Sequence, residues 1–143
     1  MKQKFIDLYM DWAKRAAELS HARRLHVGAV IVKDDTVISY GYNGMPAGWD
    51  NNCEDEIKWP NGDIKFLTTK PEVLHAESNA IAKLAKSLNS GNGADLFVTH
   101  SPCIDCAKLI VQSGISRVWY GEDYRDDAGS KFLTKSGVEV NKV

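Results

Sequence analysis

ADLFVTHSPCIDCAKLIVQSGISRVWY, residues 94–120, reads as strand, helix, strand. Ala94 to Thr99 is a short apolar run with β-branched residues, and Arg117 to Tyr120 is a second. Between them, Cys103 to Ser113 reads as a helix, with Pro102 just before it and Gly114 just after it. A strand, a helix and a second strand in that order suggest parallel pairing. Downstream the alternation continues. Asp126 to Ser136 is expected to be a short helix stopped by Gly137, and Val138 to Val143 a last strand.

Upstream, Phe5, Leu8, Tyr9, Trp12, Ala13, Ala16 and Leu19 recur at helical spacing and predict an amphipathic helix ending near Ser20. His21 to His26 is a basic connector carrying Arg23 and Arg24. Val27 to Val32 and Thr36 to Tyr42 are β-rich, and Asp34-Asp35 between them is a turn signal, so the pair reads as an antiparallel hairpin. Met45 to Pro71 shows no clear period. A loop of that length in a small domain is either functional, such as a lid, or a tolerated insertion. His75 to Ser90 reads as a helix with Ala80, Ile81, Leu84, Ala85 and Leu88 on one face, stopped by Gly91-Asn92-Gly93. The predicted order is α-β-β-α-β-α-β-α-β, an α/β chain with a mixed five-stranded sheet. Its 143 residues suit a single domain, residues 1–143, and leave no room for a second of ordinary size.

Composition narrows the function. Hydrophobic residues at 43% and charged residues at 26% describe a globular chain. The net charge of -1 disfavours long DNA or RNA as a partner, although one Arg or Lys pocket for a small phosphorylated ligand needs no basic chain. Cys53, Cys103 and Cys106 are an odd set without a secretion signal, so a reduced, intracellular protein is expected and not a disulfide framework. No apolar run approaches the roughly 18 residues of a membrane span.

The chemistry sits in two fragments, His75-Ala76-Glu77 and Pro102-Cys103-Ile104-Asp105-Cys106. Each is expected to open a helix, where the dipole favours negative thiolates. The C-x-x-C spacing lets both sulfurs reach one metal from the first turn, and His75 adds a nitrogen. Three protein ligands leave one tetrahedral position open, as in catalytic and not structural zinc sites. Zinc lowers the pKa of water there to about 7. Glu77, two residues from His75, is then the proton shuttle. Each half alone is weak, since C-x-x-C is also a redox pair and H-x-E is common. The joint H-x-E…P-C-x-x-C pattern is that of zinc deaminases. A structural site would need a fourth ligand, for which His100 and Cys53 are the candidates.

With these motifs in place the chain resembles the cytidine and deoxycytidylate deaminase family, within it the bacterial and phage deoxycytidylate (dCMP) type, from Phe5 to the C-terminus. The stretches that carry the resemblance are Val27 to Val32, Gly41-Tyr42-Asn43-Gly44-Met45-Pro46, His75 to Ile81, Ser101-Pro102-Cys103 through Ile115, and Glu122-Asp123-Tyr124-Arg125. The resemblance implies a three-layer α/β/α cytidine-deaminase-like fold and hydrolysis of dCMP to dUMP and ammonia, a step toward dTMP. It implies one catalytic Zn2+ per chain, a cytoplasmic location (the host cytoplasm for a phage protein), a homo-oligomer of hexameric type, dCTP as activator and dTTP as inhibitor, with Mg2+ accompanying the triphosphate. Asn43 would hold the sugar, the Ala76 backbone the cytosine carbonyl, the Ser101 carbonyl the departing amine, and Tyr124 with Arg125 the nucleotide and its 5′-phosphate. Arg23 and Arg24 are further phosphate candidates. Gly41, Gly44, Trp49 and Asn51 fall in the stretch that looks like the effector segment. The extra Cys and His residues that build a second zinc in some phage relatives are incomplete here.

Alternatives stay open beside these roles. Arg125, crowded by Asp123, Asp126 and Asp127, also reads as a solvated charge, Arg23 and Arg24 as a basic helix end, Trp49 as an oligomer contact and His26 as a packed residue. A related deaminase acting on dCTP, a nucleoside or tRNA adenosine shares the zinc motifs. A non-catalytic zinc-binding module would share the ligands but have no use for Glu77.

Overall fold

A computed structural model describes all residues, Met1–Val143. Its elements in chain order are α1 (Gln3–Ala17), β1 (Gly28–Lys33), β2 (Thr36–Tyr42), β3 (Glu54–Lys58), β4 (Ile64–Thr69), α2 (Ala76–Ala85), β5 (Asp95–His100), α3 (Ile104–Gln112), β6 (Arg117–Glu122), α4 (Ala128–Lys135) and β7 (Glu139–Lys142). Five strands form one mixed sheet in the order β2-β1-β5-β6-β7. β1 is antiparallel to both β2 and β5, whereas β5, β6 and β7 run parallel. The predicted α/β class, mixed sheet and parallel second half are therefore observed.

Strand alternation makes the layers. Ala29 and Ile31 of β1, with Leu96 and Val98 of β5, pack on Ala76 and Ala80 of α2, Ala107 and Ile110 of α3 and Leu133 of α4. Val30, Val32 and Phe97 point the other way, onto Ile6, Tyr9, Met10 and Ala13 of α1. Phe97 stacks on Trp119 and meets Tyr9 at a tilt, with ring centroids 5.8 and 5.4 Å away. One helix on one face and three on the other is the three-layer α/β/α arrangement. The β1–β2 turn uses Asp34 and Asp35 at φ 50° and 58°, the left-handed pair that a two-residue hairpin needs.

Three expectations are corrected. The buried stripe of α1 is Ile6, Tyr9, Met10, Ala13, Ala16 and Ala17, while Leu8, Trp12 and Leu19 stand about half exposed. The helix is apolar on more than one face, and contact with the sheet selects the face with the small residues. At Gly28 an added Cβ would lie 2.0 Å from the Ala13 carbonyl oxygen, so β1 and α1 touch backbone to backbone. Second, α2 stops at Ala85. Ser87 returns both its N–H and its hydroxyl to the Leu84 carbonyl, and Leu88 is fully exposed. Third, Met45 to Pro71 is not a structureless loop. Residues 54–69 form a separate antiparallel hairpin, turned through Trp59 to Asp63 with Gly62 at φ 94°. Its strands are largely exposed and β3 is acidic, so no buried apolar face announces them.

Candidate active site

The parallel strands β5 and β6 end on the same edge of the sheet, where loops build sites in open α/β folds. β5 delivers Ser101, Pro102 and Cys103, and β6 delivers Tyr124. The two ends are tied together: Ser101 N–H donates to the Glu122 carbonyl at 2.8 Å and Tyr124 N–H to Ser101 Oγ at 2.6 Å. Facing them is the start of α2. His75 is the N-cap of α2 and Cys103 the N-cap of α3, both with extended backbone. The predicted convergence of two helix N-termini is thus observed.

His75 Nδ1 lies 3.5 Å from Cys103 Sγ and 3.4 Å from Cys106 Sγ. Zinc bonded tetrahedrally to one His nitrogen and one Cys sulfur at their usual lengths sets those atoms about 3.5–3.6 Å apart. The trio therefore fits zinc without rearrangement, and His75, Cys103 and Cys106 are the one group of close ligand atoms. Neither fourth-ligand candidate joins it. Cys53 is buried in a small cluster with Ala22 and Val73, its thiol donating to the Asn51 carbonyl. His100 pairs through Nδ1 with Thr99 Oγ1 at 3.0 Å and lies 3.1 Å from Glu122 Oε2 through Nε2.

The electrostatics suit the donor set. Cys103 is held down to about 4, first by its hydrogen bond with Cys106 and then by His75, and Cys106 is pushed up by the same shared proton and by burial. His75 is raised by its hydrogen bond to Cys103. Burial pushes the Glu77 carboxyl up to about 7. Only 4% of Glu77 is exposed, so it is shielded from bulk water at the head of α2. A zinc ion beside it acts the other way, favouring the carboxylate.

An open cleft with a volume of about 100 Å³ leads to these groups, bounded by Arg24, Asn43, Glu54, Thr69, His75, Ala76, Glu77, His100, Ser101, Cys103 and Tyr124 among others. The sequence-predicted Asn43, Ala76, Ser101 and Tyr124 thus come together. Asn43 also has a local duty: its Oδ1 accepts from Val27 N–H at 2.9 Å and its Nδ2 donates to the Leu25 carbonyl at 2.8 Å. The two phosphate candidates of the connector divide. Arg24 borders the cleft, whereas Arg23 turns to Glu54, Glu56 and Asn52. Arg125 does not border it and sits 5.7 Å from the Tyr124 ring centroid.

The residues expected in an effector segment scatter. Trp49 edges a separate shallow depression with Met45, Asp50, Asn52, Lys70 and Glu72. Asn51 offers its carbonyl to Cys53. Gly44 bridges to Leu74, and Gly41 lets β2 meet α2, where a Cβ would lie 2.3 Å from the Ala76 carbonyl oxygen. Gly41 therefore serves a close approach of β2 to the site helix. Glu54, Thr69 and Gly129 were missed. An added Cβ on Gly129 would lie 2.0 Å from the Pro102 carbonyl oxygen, so α4 presses on the cysteine loop. A glycine inside a helical pattern is the signal that points to such contact.

The family model for the cytidine and deoxycytidylate deaminase zinc-binding region matches residues 3–122. ComE operon protein 2 of Bacillus subtilis (strain 168) is 40% identical over 136 residues, covering 94% of this chain and 69% of that protein. The deoxycytidylate deaminase of Enterobacteria phage T4 is 37% identical over 151 residues, covering 82% and 78%. The crystal structure of the dCMP deaminase from the cyanophage S-TIM5, in complex with dCMP and dUMP, superposes with a TM-score of 0.88 at 41% identity, covering 100% of this chain and 99% of that one.

Proposed function

This chain belongs to the cytidine and deoxycytidylate deaminase family, and from that premise we propose that it hydrolyses dCMP, with water, to dUMP and ammonia. The observation that carries the reading is a buried Glu77 beside a zinc-spaced His75, Cys103 and Cys106 at the end of an open cleft. These three residues hold the zinc, which when bound supplies Lewis-acid activation of water.

The chain's own groups do the rest. Glu77 takes the proton that water loses and delivers it to the ring nitrogen as hydroxide adds to the amine-bearing carbon; it then carries the proton of that added hydroxyl to the amine, which leaves as ammonia while the carbonyl forms. Ala76 N–H lies in the first turn of α2, whose N–H groups have no intrahelical acceptor, and is free to donate to the cytosine carbonyl. The Ser101 carbonyl accepts no hydrogen bond within the chain and receives the amino group. Asn43 and Tyr124 hold the sugar and base side of the cleft. Arg24 takes the 5′-phosphate in preference to Arg125, because it borders the cleft and Arg125 does not. Guanidinium geometry suits phosphate oxygens.

The proposal extends to a cytoplasmic homohexamer regulated by dCTP and dTTP. Leu8, Trp12, Leu19, Ile57, Trp59, Ile64 and Phe66 offer exposed apolar surface of the kind that subunit contacts cover. The depression at Trp49 pairs an aromatic ring with Lys70 and the carboxylates of Asp50 and Glu72, groups suited to a base, phosphates and their Mg2+. Thiolate ligands are suited to a reducing compartment.

The test compares wild type with Glu77→Gln on dCMP, with deoxycytidine, dCTP and a tRNA hairpin as rival substrates, with and without dCTP, dTTP and Mg2+. The variant is expected to keep fold and zinc and to lose about 10²–10⁴-fold or more in turnover. A variant of full activity, or wild-type turnover of the RNA alone, would sink the reading.

A further inference from the structure

The basic connector and the hairpin that the sequence hides are bound to each other. Glu54 of β3 is 1% exposed, and its Oε2 accepts the backbone N–H groups of both Arg23 and Arg24 at 2.8 Å each. Asn52 Oδ1 and Glu56 Oε1 take the Arg23 guanidinium at 3.2 and 3.0 Å. Thr69 Oγ1, at the end of β4, takes Arg24 Nη1 at 2.9 Å. Every side-chain partner of the two guanidinium groups therefore comes from residues 52–69.

The two arginines are left with different charges to offer. Arg23 is consumed by Glu54 and Glu56. Arg24 meets only a neutral hydroxyl, so its full positive charge stays available at the cleft. A fork that is already aimed loses less freedom when it pairs with an anion. The clamp also has slack. Glu54 Oε1 is buried without a hydrogen-bond partner, and Arg23 Nε stands 3.7 Å away, one small shift short of supplying it.

We propose that the β3–β4 hairpin is a positioning device for substrate phosphate: Glu54 fixes the backbone at Arg24, and Thr69 aims its guanidinium into the cleft. Neither residue needs to touch the reacting atoms. The proposal rests on the reading of Arg24 as the phosphate residue of a dCMP deaminase.

The test is steady-state kinetics on the zinc-loaded full chain for Thr69→Val, Glu54→Ala, Glu54→Gln and Arg24→Ala, with Thr69→Val also made in the Arg24→Ala background. Thr69→Val keeps shape at a half-exposed position, so it remains informative if Glu54→Ala folds poorly. It is expected to raise KM for dCMP about five- to tenfold, the worth of one hydrogen bond, and to leave kcat within about twofold. Glu54→Ala does the same or more, and Glu54→Gln, which keeps an acceptor for both N–H groups, restores most of the affinity. In the Arg24→Ala background the Thr69→Val effect disappears. An unchanged KM in Thr69→Val, or the same loss with and without Arg24, overturns the proposal. Failure of the underlying reading shows in other proteins: wild type that does not turn over dCMP, or Arg24→Ala that binds it normally.

Discussion

Gly129→Ala is a one-carbon change outside the cleft that should disable the metal site. Gly129 lies in the first turn of α4, buried against Pro102 and Cys103. The added Cβ would sit 2.0 Å from the Pro102 carbonyl oxygen, 2.8 Å from the Cys103 carbonyl carbon and 2.9 Å from its oxygen. Such contacts do not close much below 3.0 Å, so α4 and the Pro102-Cys103 segment must separate by about 1 Å. Neither side yields easily, because all three contacts are backbone. Overpacking of this kind costs about 1–3 kcal/mol of stability. The larger effect falls on zinc, since ligand distances tolerate about 0.2 Å and a misplacement near 1 Å costs about 10²-fold in rate. Three measurements check it: zinc content after gel filtration, zinc loss to a chromogenic chelator, and kcat at saturating zinc. The expected result is a folded protein that gives up zinc faster than wild type and works about 10²-fold more slowly. If Gly129→Ala holds zinc and turns over as wild type does, the steric argument is wrong.

Two further predictions concern stability and the metal. Asp95→Ala strips β6 of a buried anchor, because Asp95 accepts from Arg117 Nε and Nη2 at 3.0 and 2.9 Å and from Trp119 Nε1 at 3.1 Å. Arg117 is about a third exposed and can turn to water, so the loss should be about 2–3 kcal/mol and not the larger value of a fully buried pair. Urea unfolding reads that loss, while the site, at the far end of β5 about 16 Å away, keeps its kcat at low temperature; an unchanged midpoint refutes the anchor. Exhaustive chelation should remove about one zinc per chain and abolish turnover, with recovery on adding Zn2+. Metal binds only the deprotonated forms of the two sulfurs and His75, so release becomes easier as pH falls. Persisting activity in a protein shown to be zinc-free by elemental analysis overturns the assignment.

What sequence spacing made legible was whatever obeys a local period or a local stop. Gly114 and Gly137 end their helices at φ 80° and 86°, as helix-stop glycines do, and Asp34-Asp35 turns the first hairpin. The zinc trio was legible for the same reason, since its two cysteines share one helical turn and His75 opens the next site helix. The hairpin of residues 54–69 was not, because its outward faces are acidic or exposed and its one deeply buried side chain is a carboxylate. Asn61-Gly62 was the available signal for its turn. Helical spacing misplaces the stripe of α1 in part: it gives Leu8 and Trp12 the inward face that Ile6, Met10 and Ala17 occupy, and the contact with Gly28 requires small residues at Ala13 and Ala17.

Close packing also decides which glycines serve the site. Gly41 and Gly129 each sit where a strand or helix touches the backbone of a zinc-ligand segment, the first at Ala76 behind His75 and the second at Pro102 before Cys103. Neither contacts the cleft, and both fix a ligand's position through main-chain contact alone. Precision of the ligand positions therefore depends on two glycines, one on β2 and one on α4. Motif spacing identifies the ligands, but the tolerance of their geometry is set by residues that carry no chemistry of their own.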